Sequence, residues 1–517
     1  MMNTALDKSN STENPKLDRV STLFRRMKVS NEGVVQALLL LGVVLRLRQY
    51  LFNRSLWLDE CLLSLNLLSR SARELLKPLD YHQGAPLGFL MLEKGVISFL
   101  GTSEMALRLI PFLAGIVSLF LFTLVAKRFL TPMAVPVAVG MFAISGPLIY
   151  YSCEIKQYST DVSIVLALLL IADSLITSPN SLLRTFLLSF IAGASIWFSQ
   201  PAAFVVASIG IVWLWVAVAK RDFSALSRPL AFGLITSVSF GLSYLVSLRK
   251  LARDEWLLGY WNGAFMPMPP FSPEALRWFI STWLRIWESS VGLTFVGIAS
   301  AAIVVGAREM FRENRKNLLV LLLPVFLALV ASAFHRYPFQ GRLLLFAVPP
   351  ILLVVAAGLA SIRLKARSVV PGLGGLLIGL LFFVPAVEAL RNLIKPRGVE
   401  EIREVLKYIE QHRQPGDTLY CYYDGEPALK YYSWRGVISP IPTVIGIESR
   451  QNWKAYPPDL SRLRGKTRVW ILFSHVYRES GADEERLFLD YLDKMGTRES
   501  ATQAMGASAY LYDLRDR

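Results

Sequence analysis

The sequence predicts a polytopic α-helical membrane protein with a small soluble α/β domain at its C-terminal end. Three observations predict this architecture. Hydrophobic residues make up 53% of the 517 residues and charged residues only 18%, whereas soluble proteins carry about 25% charged residues. Apolar stretches long enough to cross a bilayer recur along the chain. From residue 391 onward this apolar character is lost, and strand and helix patterns alternate.

The apolar stretches predict about eleven transmembrane helices, since a bilayer core takes roughly 20 apolar residues. A polar tail at 1–33 precedes them, and residues 34–390 form the predicted membrane domain. The stretches lie near 34–53, 107–126, 133–150, 160–176, 185–199, 202–218, 230–248, 291–306, 318–334, 343–361 and 369–389.

The stretch 86–100 is the exception, because Glu93 and Lys94 stand in its middle. Two adjacent charges are costly at the bilayer centre, so we interpret this stretch as a helix lying at the interface. With it outside the membrane, the short basic loops all fall on one side, which the positive-inside rule makes cytoplasmic. The N-terminal tail is then cytoplasmic, and the segments 54–106, 249–290 and 391–517 lie outside. We expect the inner membrane of a bacterium.

The net charge of +16, from 55 basic and 39 acidic residues, arises largely from these basic cytoplasmic loops. Its excess lies in the hydrophobic part, and no basic run is interleaved with aromatic residues, so no nucleic-acid partner is predicted. The spacing of the three cysteines fits no metal or haem motif.

The segment 391–517 predicts a soluble α/β domain. Helical spacing of apolar residues occurs at 398–412 and 484–495, and strand patterns occur at 417–423, 468–475 and 509–514. Strands that alternate with helices favour a sheet covered by helices.

Two acidic residues, Asp59 and Glu60, come shortly after the first predicted span. Adjacent carboxylates near lipid are costly unless they are paired, bound to metal or catalytic. A partly desolvated carboxylate is a plausible general base. An ordinary polar loop is the alternative interpretation.

Further polar residues fall on the same predicted side of the membrane. Arginine suits a phosphate group, because its guanidinium binds phosphate oxygens in pairs and stays charged. Snorkelling side chains and interfacial tyrosines are the alternative, and His82 could equally be a metal ligand, an acceptor contact or a loop residue. The candidates are His82, Arg108, Glu154, Lys156, Tyr158, His335, Arg336 and Arg342.

Four motifs in this order resemble the polyprenyl-phosphate-dependent glycosyltransferases of the GT-C fold. The likeness is to family 39, of the protein mannosyltransferase and aminoarabinose transferase type. The motifs are Trp57-Leu58-Asp59-Glu60, the stretch 85–115 that begins Ala-Pro-Leu-Gly, the Tyr-Tyr-Ser-x-Glu-x-Lys-x-Tyr stretch at 150–158, and Tyr-Pro-Phe-Gln-Gly-Arg at 337–342. The likeness spans roughly residues 34–390.

The resemblance implies an enzyme that moves a sugar from a polyprenyl-phosphate donor to a hydroxyl of a lipid, glycan or protein acceptor, with inversion. Asp59 is then the general base, and Glu60 orients the acceptor or a metal. The implied donor phosphate and sugar contacts are Arg108, Glu154, Lys156, Tyr158, Arg336 and Arg342. His82 and His335 are candidates for contacts with the acceptor or a metal, and the resemblance is compatible with a divalent metal.

Two other functions are weighed against this one. A transporter or flippase of a lipid-linked substrate should carry ionisable groups or broken helices at mid-membrane, whereas the charges here cluster at one face. An enzyme of the O-antigen ligase or polymerase type would release a lipid pyrophosphate rather than a monophosphate.

Overall fold

The computed structural model describes residues 15–177, 181–221, 226–478 and 481–515, and the side chains from residue 31 onward within those ranges. The first half of the predicted polar tail lies outside the described residues. Its second half belongs to a helix that runs from Pro15 to Leu51 and enters the membrane domain near Asn31.

Among the described residues, eight helices are long and apolar enough to cross a membrane. A ninth span exists if Pro273–Val291 and Val296–Glu313, which meet at 94°, are counted as one broken span. The eight are Asn31–Leu51, Leu109–Phe129, Tyr158–Thr177, Ala202–Ala219, Ser227–Leu251, Arg315–Ala333, Gly341–Ala366 and Leu373–Ile394. The chain is therefore a multi-pass membrane protein.

The remaining predicted spans correspond to two shorter apolar helices, Val135–Ile144 and Leu182–Ser195. The stretch 133–150 is interrupted because Pro147 stands where a continuing helix needs a backbone N–H; a second helix, Gly146–Tyr151, begins there instead. The structure thus supports eight or nine spans by length, and about eleven if both short helices also cross.

The segment between the first two spans, named the first outer segment after its predicted side, is largely helical, and a helix covers the predicted interfacial stretch 86–100. Its helices are Leu58–Ser69, Leu87–Leu100 and Glu104–Leu107, with a 3-10 turn at Glu74–Leu76. In the helix Leu87–Leu100, Glu93 is buried and the Lys94 Nζ donates to the Leu67 carbonyl at 2.7 Å. The two adjacent charges therefore separate, and the lysine ties this helix to its neighbour.

The second outer segment follows the span Ser227–Leu251. It contains the helix Glu255–Tyr260, a 3-10 turn at Asn262–Ala264 and the helix Pro273–Arg285, which continues into the broken span. Where Val296–Glu313 crosses Val348–Ala366, Gly306 and Gly358 allow contact of the backbones: a Cβ on Gly306 would lie 1.9 Å from the Val354 carbonyl oxygen.

The soluble domain has a five-stranded mixed sheet with the strands β1 Thr418–Cys421, β2 Thr443–Ile445, β3 Val469–Ser474, β4 Thr497–Ala504 and β5 Ala507–Asp513. Their order in the sheet is β2-β1-β3-β5-β4. The strands β1 and β3 are parallel neighbours, β2 is parallel to β1, and β5 is antiparallel to β3 and β4. The helices are Ile402–His412, Glu426–Trp434, Tyr456–Ser461 and Glu484–Met495.

The soluble domain and the first outer segment share one hydrophobic core. Leu63 and Phe89 of the outer segment belong to the same buried cluster as Leu406 and Leu419 of the soluble domain. Polar contacts add to this. Glu401 accepts hydrogen bonds from the amide and hydroxyl of Ser55 at 3.1 and 3.0 Å, and the Tyr432 hydroxyl accepts from the Leu56 amide at 2.9 Å. The segment that carries Asp59 is therefore held between the membrane helices and the soluble domain.

Candidate active site

Asp59 lies in the first turn of the helix Leu58–Ser69, where helix amides favour a negative charge. Its carboxylate forms an ion pair with Arg342, which comes from the start of a distant span. The side chains are 20% and 16% exposed, respectively, so both can be reached from the surrounding solvent. A carboxylate and a guanidinium separated by 283 positions in the chain thus meet at one end of the helix bundle.

Arg342 is positioned by the turn that precedes it. Gly341 has a φ of 53°, which glycine adopts without strain, and a 3-10 segment then leads into the helix Val348–Ala366. The guanidinium carbon lies 5.3 Å from the Trp57 ring centre and 5.7 Å from that of Tyr158. These aromatic faces hold the cation next to Asp59.

Lys156 supplies a second cation. It is buried, and its Nζ donates to the Gln83 side chain at 2.5 Å. Burial lowers the pKa of Lys156, and Asp59 offsets part of that effect. Burial also raises the pKa of Asp59, but Lys156 and Arg342 lower it further, so it stays below its ordinary value. Asp59 is consequently ionised at neutral pH.

Glu60 points the other way and is fully buried. Arg108 donates to both of its oxygens, at 2.8 and 2.7 Å, Arg54 donates at 2.7 Å, and the Ile155 amide donates at 3.0 Å. Burial raises the pKa of Glu60, but these guanidiniums lower it more. With its oxygens occupied in this way, Glu60 braces the loop beneath Asp59 rather than facing the accessible side of the site.

Arg108 shares this bracing position. Besides Glu60, it donates to the backbone carbonyls of Arg54 and Ser55 at 2.6 and 3.0 Å. Its guanidinium is buried and committed to these acceptors. The structure therefore separates Arg108 from Arg342, which is partly exposed and pairs with Asp59, and from Lys156, which is buried but donates to Gln83 rather than to Glu60.

Glu154 lies beside the bracing cluster and is also buried. Both of its carboxylate oxygens lack a hydrogen-bond partner among the described residues, and the nearest cation is Arg54 at 3.9 Å. Burial, with repulsion from Glu60, raises the pKa of Glu154 to about 7. Glu154 is therefore a buried acid that titrates near neutrality.

Three predicted residues contact the second outer segment. His82 pairs with Asp254 at 2.9 Å and stacks on Trp256, with 4.8 Å between ring centres. His335 is exposed, and its ring centre lies 4.8 Å from that of Phe265. Arg336 donates to the Ala252 carbonyl at 3.4 Å. Tyr158, in contrast, lies at the site, under Arg342.

Sequence reasoning missed His475 of the soluble domain. Its ring centre lies 6.2 Å from that of Trp57, and its charge acts on Asp59. The signal was present in the sequence, since His475 ends the predicted strand at 468–475, and side chains at the carboxyl ends of parallel strands commonly form binding sites.

A divalent metal requires several oxygen or nitrogen ligands. No group of three or more His, Cys, Asp or Glu residues that could hold a metal occurs among the residues that the structure describes. Asp59 is paired with Arg342 and Glu60 with two arginines, so Glu154 is the remaining carboxylate of the site with uncommitted oxygens. This donor set does not fit a metal ion as arranged, and no step below involves one.

Comparison with known proteins rests on structure, because no protein-family model and no curated protein matches the chain. Over 93% of this chain, the oligosaccharyltransferase of Archaeoglobus fulgidus in complex with Zn and sulfate has a TM-score of 0.53 at 13% identity, with 73% of that chain covered. The archaeal oligosaccharyltransferase AglB from the same organism, in complex with an inhibitory peptide and a dolichol-phosphate, gives 0.53 at 11%, with 93% and 74% covered.

This likeness identifies the architecture. The chain has a GT-C fold. ArnT from Cupriavidus metallidurans, bound to undecaprenyl phosphate, is similar to a lesser degree, with a TM-score of 0.48, 12% identity and coverage of 93% of this chain and 97% of that one. Within this GT-C fold, the pair Asp59 and Arg342 joins the first outer segment to the membrane helices.

Proposed function

We propose that the chain is an integral-membrane glycosyltransferase that moves a sugar from a polyprenyl-phosphate donor to an acceptor hydroxyl. The observation that carries the proposal is the accessible ion pair between Asp59 and Arg342, at the edge of a bundle of apolar helices. A base and a phosphate-binding cation at that edge suit a donor whose tail lies in lipid. The fold supports it, since a neighbour of the same fold was solved with a dolichol-phosphate.

In this proposal, Asp59 is the general base. Its ionised carboxylate takes the proton of the acceptor hydroxyl, whose oxygen forms a new bond to the anomeric carbon from the face opposite the phosphate. The bond between that carbon and the phosphate oxygen breaks, and its electron pair leaves with the lipid phosphate. Attack from the opposite face inverts the anomeric configuration.

Arg342 and Lys156 stabilise the leaving group. Negative charge grows on the phosphate as the glycosidic bond breaks, and pre-positioned cations lower the energy of that transition state. Once Arg342 also binds the donor phosphate, its positive charge is shared between the phosphate and Asp59. The pKa of Asp59 then rises, so binding of the donor strengthens the base.

The proposed orientation follows the distribution of basic loops. The N-terminus lies in the cytoplasm, and the site and the soluble domain at 391–517 lie on the outer face, in the inner membrane of a bacterium. This arrangement gives the base access to acceptors on the outer face of that membrane.

The test is a comparison of wild-type protein with Asp59→Asn, incubated in detergent with a panel of polyprenyl-phosphate sugars. We expect Asp59→Asn to lose transfer by about 100- to 10,000-fold, the usual contribution of a general base. Mass spectrometry of the released lipid provides the readout, with lipid monophosphate as the expected product.

The matched control is Asp80→Asn, a change of the same type in the same outer segment, at an exposed carboxylate paired with Arg70. It should transfer at the wild-type rate. Near wild-type transfer by Asp59→Asn would exclude Asp59 as the general base. Release of lipid pyrophosphate would instead indicate the ligase type, and turnover only across a gradient would indicate a transporter.

A further inference from the structure

A polar cleft of about 350 Å³ opens in the soluble domain at the carboxyl end of β3. It lies between the loop before the first helix of the domain, the loop after β3 and the turn that joins β4 to β5. The polar residues that line it are Glu400, His475, Arg478, Glu485, Gln503 and Ser508. Its volume falls in the range of small-molecule sites, about 300–1,000 Å³.

The cleft adjoins a known kind of ligand site in the sheet. The chain runs from β1 outward to β2 and then returns to β3 on the other side of β1. Such a reversal leaves a crevice at the carboxyl ends of the parallel strands, where ligands bind in open α/β sheets. The cleft therefore lies at one side of the place where the fold itself favours binding.

His475 connects the cleft to the candidate active site. It lines the cleft, and its ring is also the neighbour of Trp57 at 6.2 Å between centres. Its backbone has a φ of 55°, an uncommon conformation for a residue with a side chain. Strain of this kind persists where the surrounding structure requires it, and it concentrates at functional sites.

The charges of the cleft are balanced in pairs. His475 contacts Glu400 at 2.5 Å, and Arg478 contacts Glu485 at 2.5 Å. Glu485 also accepts from the hydroxyls of Ser508 and Tyr510. Each cation of the cleft is thus neutralised by a carboxylate, and the Gln503 amide donates to the Tyr510 hydroxyl at 2.8 Å. The carboxylates keep further lone pairs and the guanidinium keeps further N–H groups for hydrogen bonds to a ligand. Such a surface favours a neutral ligand with many hydroxyl groups over a phosphate.

We propose that this cleft is the acceptor subsite and that it binds a neutral glycan. His475 lies between the cleft and the proposed base, Asp59. The inference rests on the proposed transferase function and specifies its acceptor. The glycan lies in the soluble domain and presents one hydroxyl past Trp57 to Asp59.

The experiment measures binding without donor, so it stays readable if no transfer is detected. Saturation-transfer NMR on the full chain in detergent uses methyl glucoside, galactoside, mannoside and rhamnoside as probes, with glucose 1-phosphate and a serine-containing hexapeptide as competitors of other classes. We expect signal from at least one neutral glycoside in wild type and in Asp59→Asn. The double variant Arg478→Ala, Gln503→Ala should lose at least tenfold in affinity.

Both altered residues are exposed, so the variant should fold. The control is Arg464→Ala, an exposed arginine near the amino end of β3, at the opposite edge of the sheet. It should bind as wild type does. Three outcomes would overturn the proposed acceptor subsite: binding by the double variant that equals wild type, binding of the phosphate or the peptide alone, and binding of none of the probes. Loss of transfer in Asp59→Asn with glycoside binding intact would concern the base alone.

Discussion

Asp59 and Glu60 are neighbours in the chain, but their environments differ completely. Asp59 is partly exposed and has one ion-pair partner, Arg342. Glu60 is buried and holds Arg54 and Arg108. Because helix side chains at adjacent positions point in different directions, one acidic pair supplies both a partly exposed carboxylate and a structural anchor.

We expect Glu60→Gln to destabilise the protein by about 3–5 kcal/mol, because it leaves buried guanidiniums without their counter-charge. Asp59→Asn should cost far less, since its partner can reach water. Thermal unfolding in detergent, followed by size-exclusion fluorescence, compares the two with Glu255→Gln, a change at an exposed site. Equal midpoints for Glu60→Gln and Glu255→Gln would contradict the bracing role.

Glu154 gives a prediction for pH dependence. Burial raises its pKa to about 7, so it is neutral below that pH and negative above it. Its charge then repels the donor phosphate, and the donor KM should rise between pH 6 and 8, a window of about one unit on either side of the pKa.

Glu154→Gln stays neutral throughout that range and should show a flatter profile of donor KM. Steady-state kinetics with a polyprenyl-phosphate sugar at several pH values measures the effect. Identical profiles for the variant and wild type would assign the pH dependence to another group.

At this scale the sequence singled out Asp59, Arg342 and Lys156, because charged residues beside lipid are costly, and the structure brings the three together. Their catalytic roles stay predictions. It did not separate Arg108 from Arg342. Both are arginines near a span, and only the partners decide their roles: Arg108 turns to Glu60, which lies 48 positions away. Pairing across such a distance leaves no local pattern.

At the scale of elements, the helix Ile402–His412 links the soluble domain to the first outer segment. Arg403, in its first turn, donates to Glu104 and to the Asn53 carbonyl, both at 2.7 Å. Glu401, just before the helix, holds Ser55. These contacts fix the chain just before the motif that carries Asp59 and join the soluble domain to the helix Glu104–Leu107.

Arg403→Ala should therefore lower kcat by up to about 100-fold while the chain still folds, because small displacements of catalytic groups are costly. Lys407→Ala, at an exposed position one turn further along the same helix, provides the control. The measurement is the rate of sugar transfer from the same donor by each variant and by wild type. Unchanged kcat in Arg403→Ala would show that the domain does not position the base.

The helices Ile402–His412 and Glu484–Met495 and the strands β1, β3 and β5 were predicted, because their apolar residues follow a clear period. The strands β2 and β4 were not. The first has only three residues, and β4 is an edge strand with the sequence Thr-Arg-Glu-Ser-Ala-Thr-Gln-Ala, in which few apolar residues mark a buried face.

At the scale of the whole molecule, the orientation depends on whether the short helices Val135–Ile144 and Leu182–Ser195 cross the membrane. We expect both to cross. Reporter fusions at Pro86, Arg128, Lys316 and Asp424 should then read outside, inside, inside and outside, because the basic loops stay in the cytoplasm. Alkaline phosphatase and green fluorescent protein give complementary readouts.

A fusion at Ser181 should also read inside, and it tests the first short helix separately. If only one of the two crosses, Lys316 moves to the outside. A cytoplasmic Asp424 would contradict the shared face of Asp59 and the soluble domain.

The shared core between the first outer segment and the soluble domain has a consequence for biogenesis. Ser55 meets Glu401, and Leu56 meets Tyr432, across 346 and 376 positions of chain. The loop with Asp59 therefore leaves the ribosome long before its partners are synthesised. The segment that carries Asp59 cannot take its final position before residues 401–432 are made, so the proposed transfer activity should begin only after the soluble domain has folded against it.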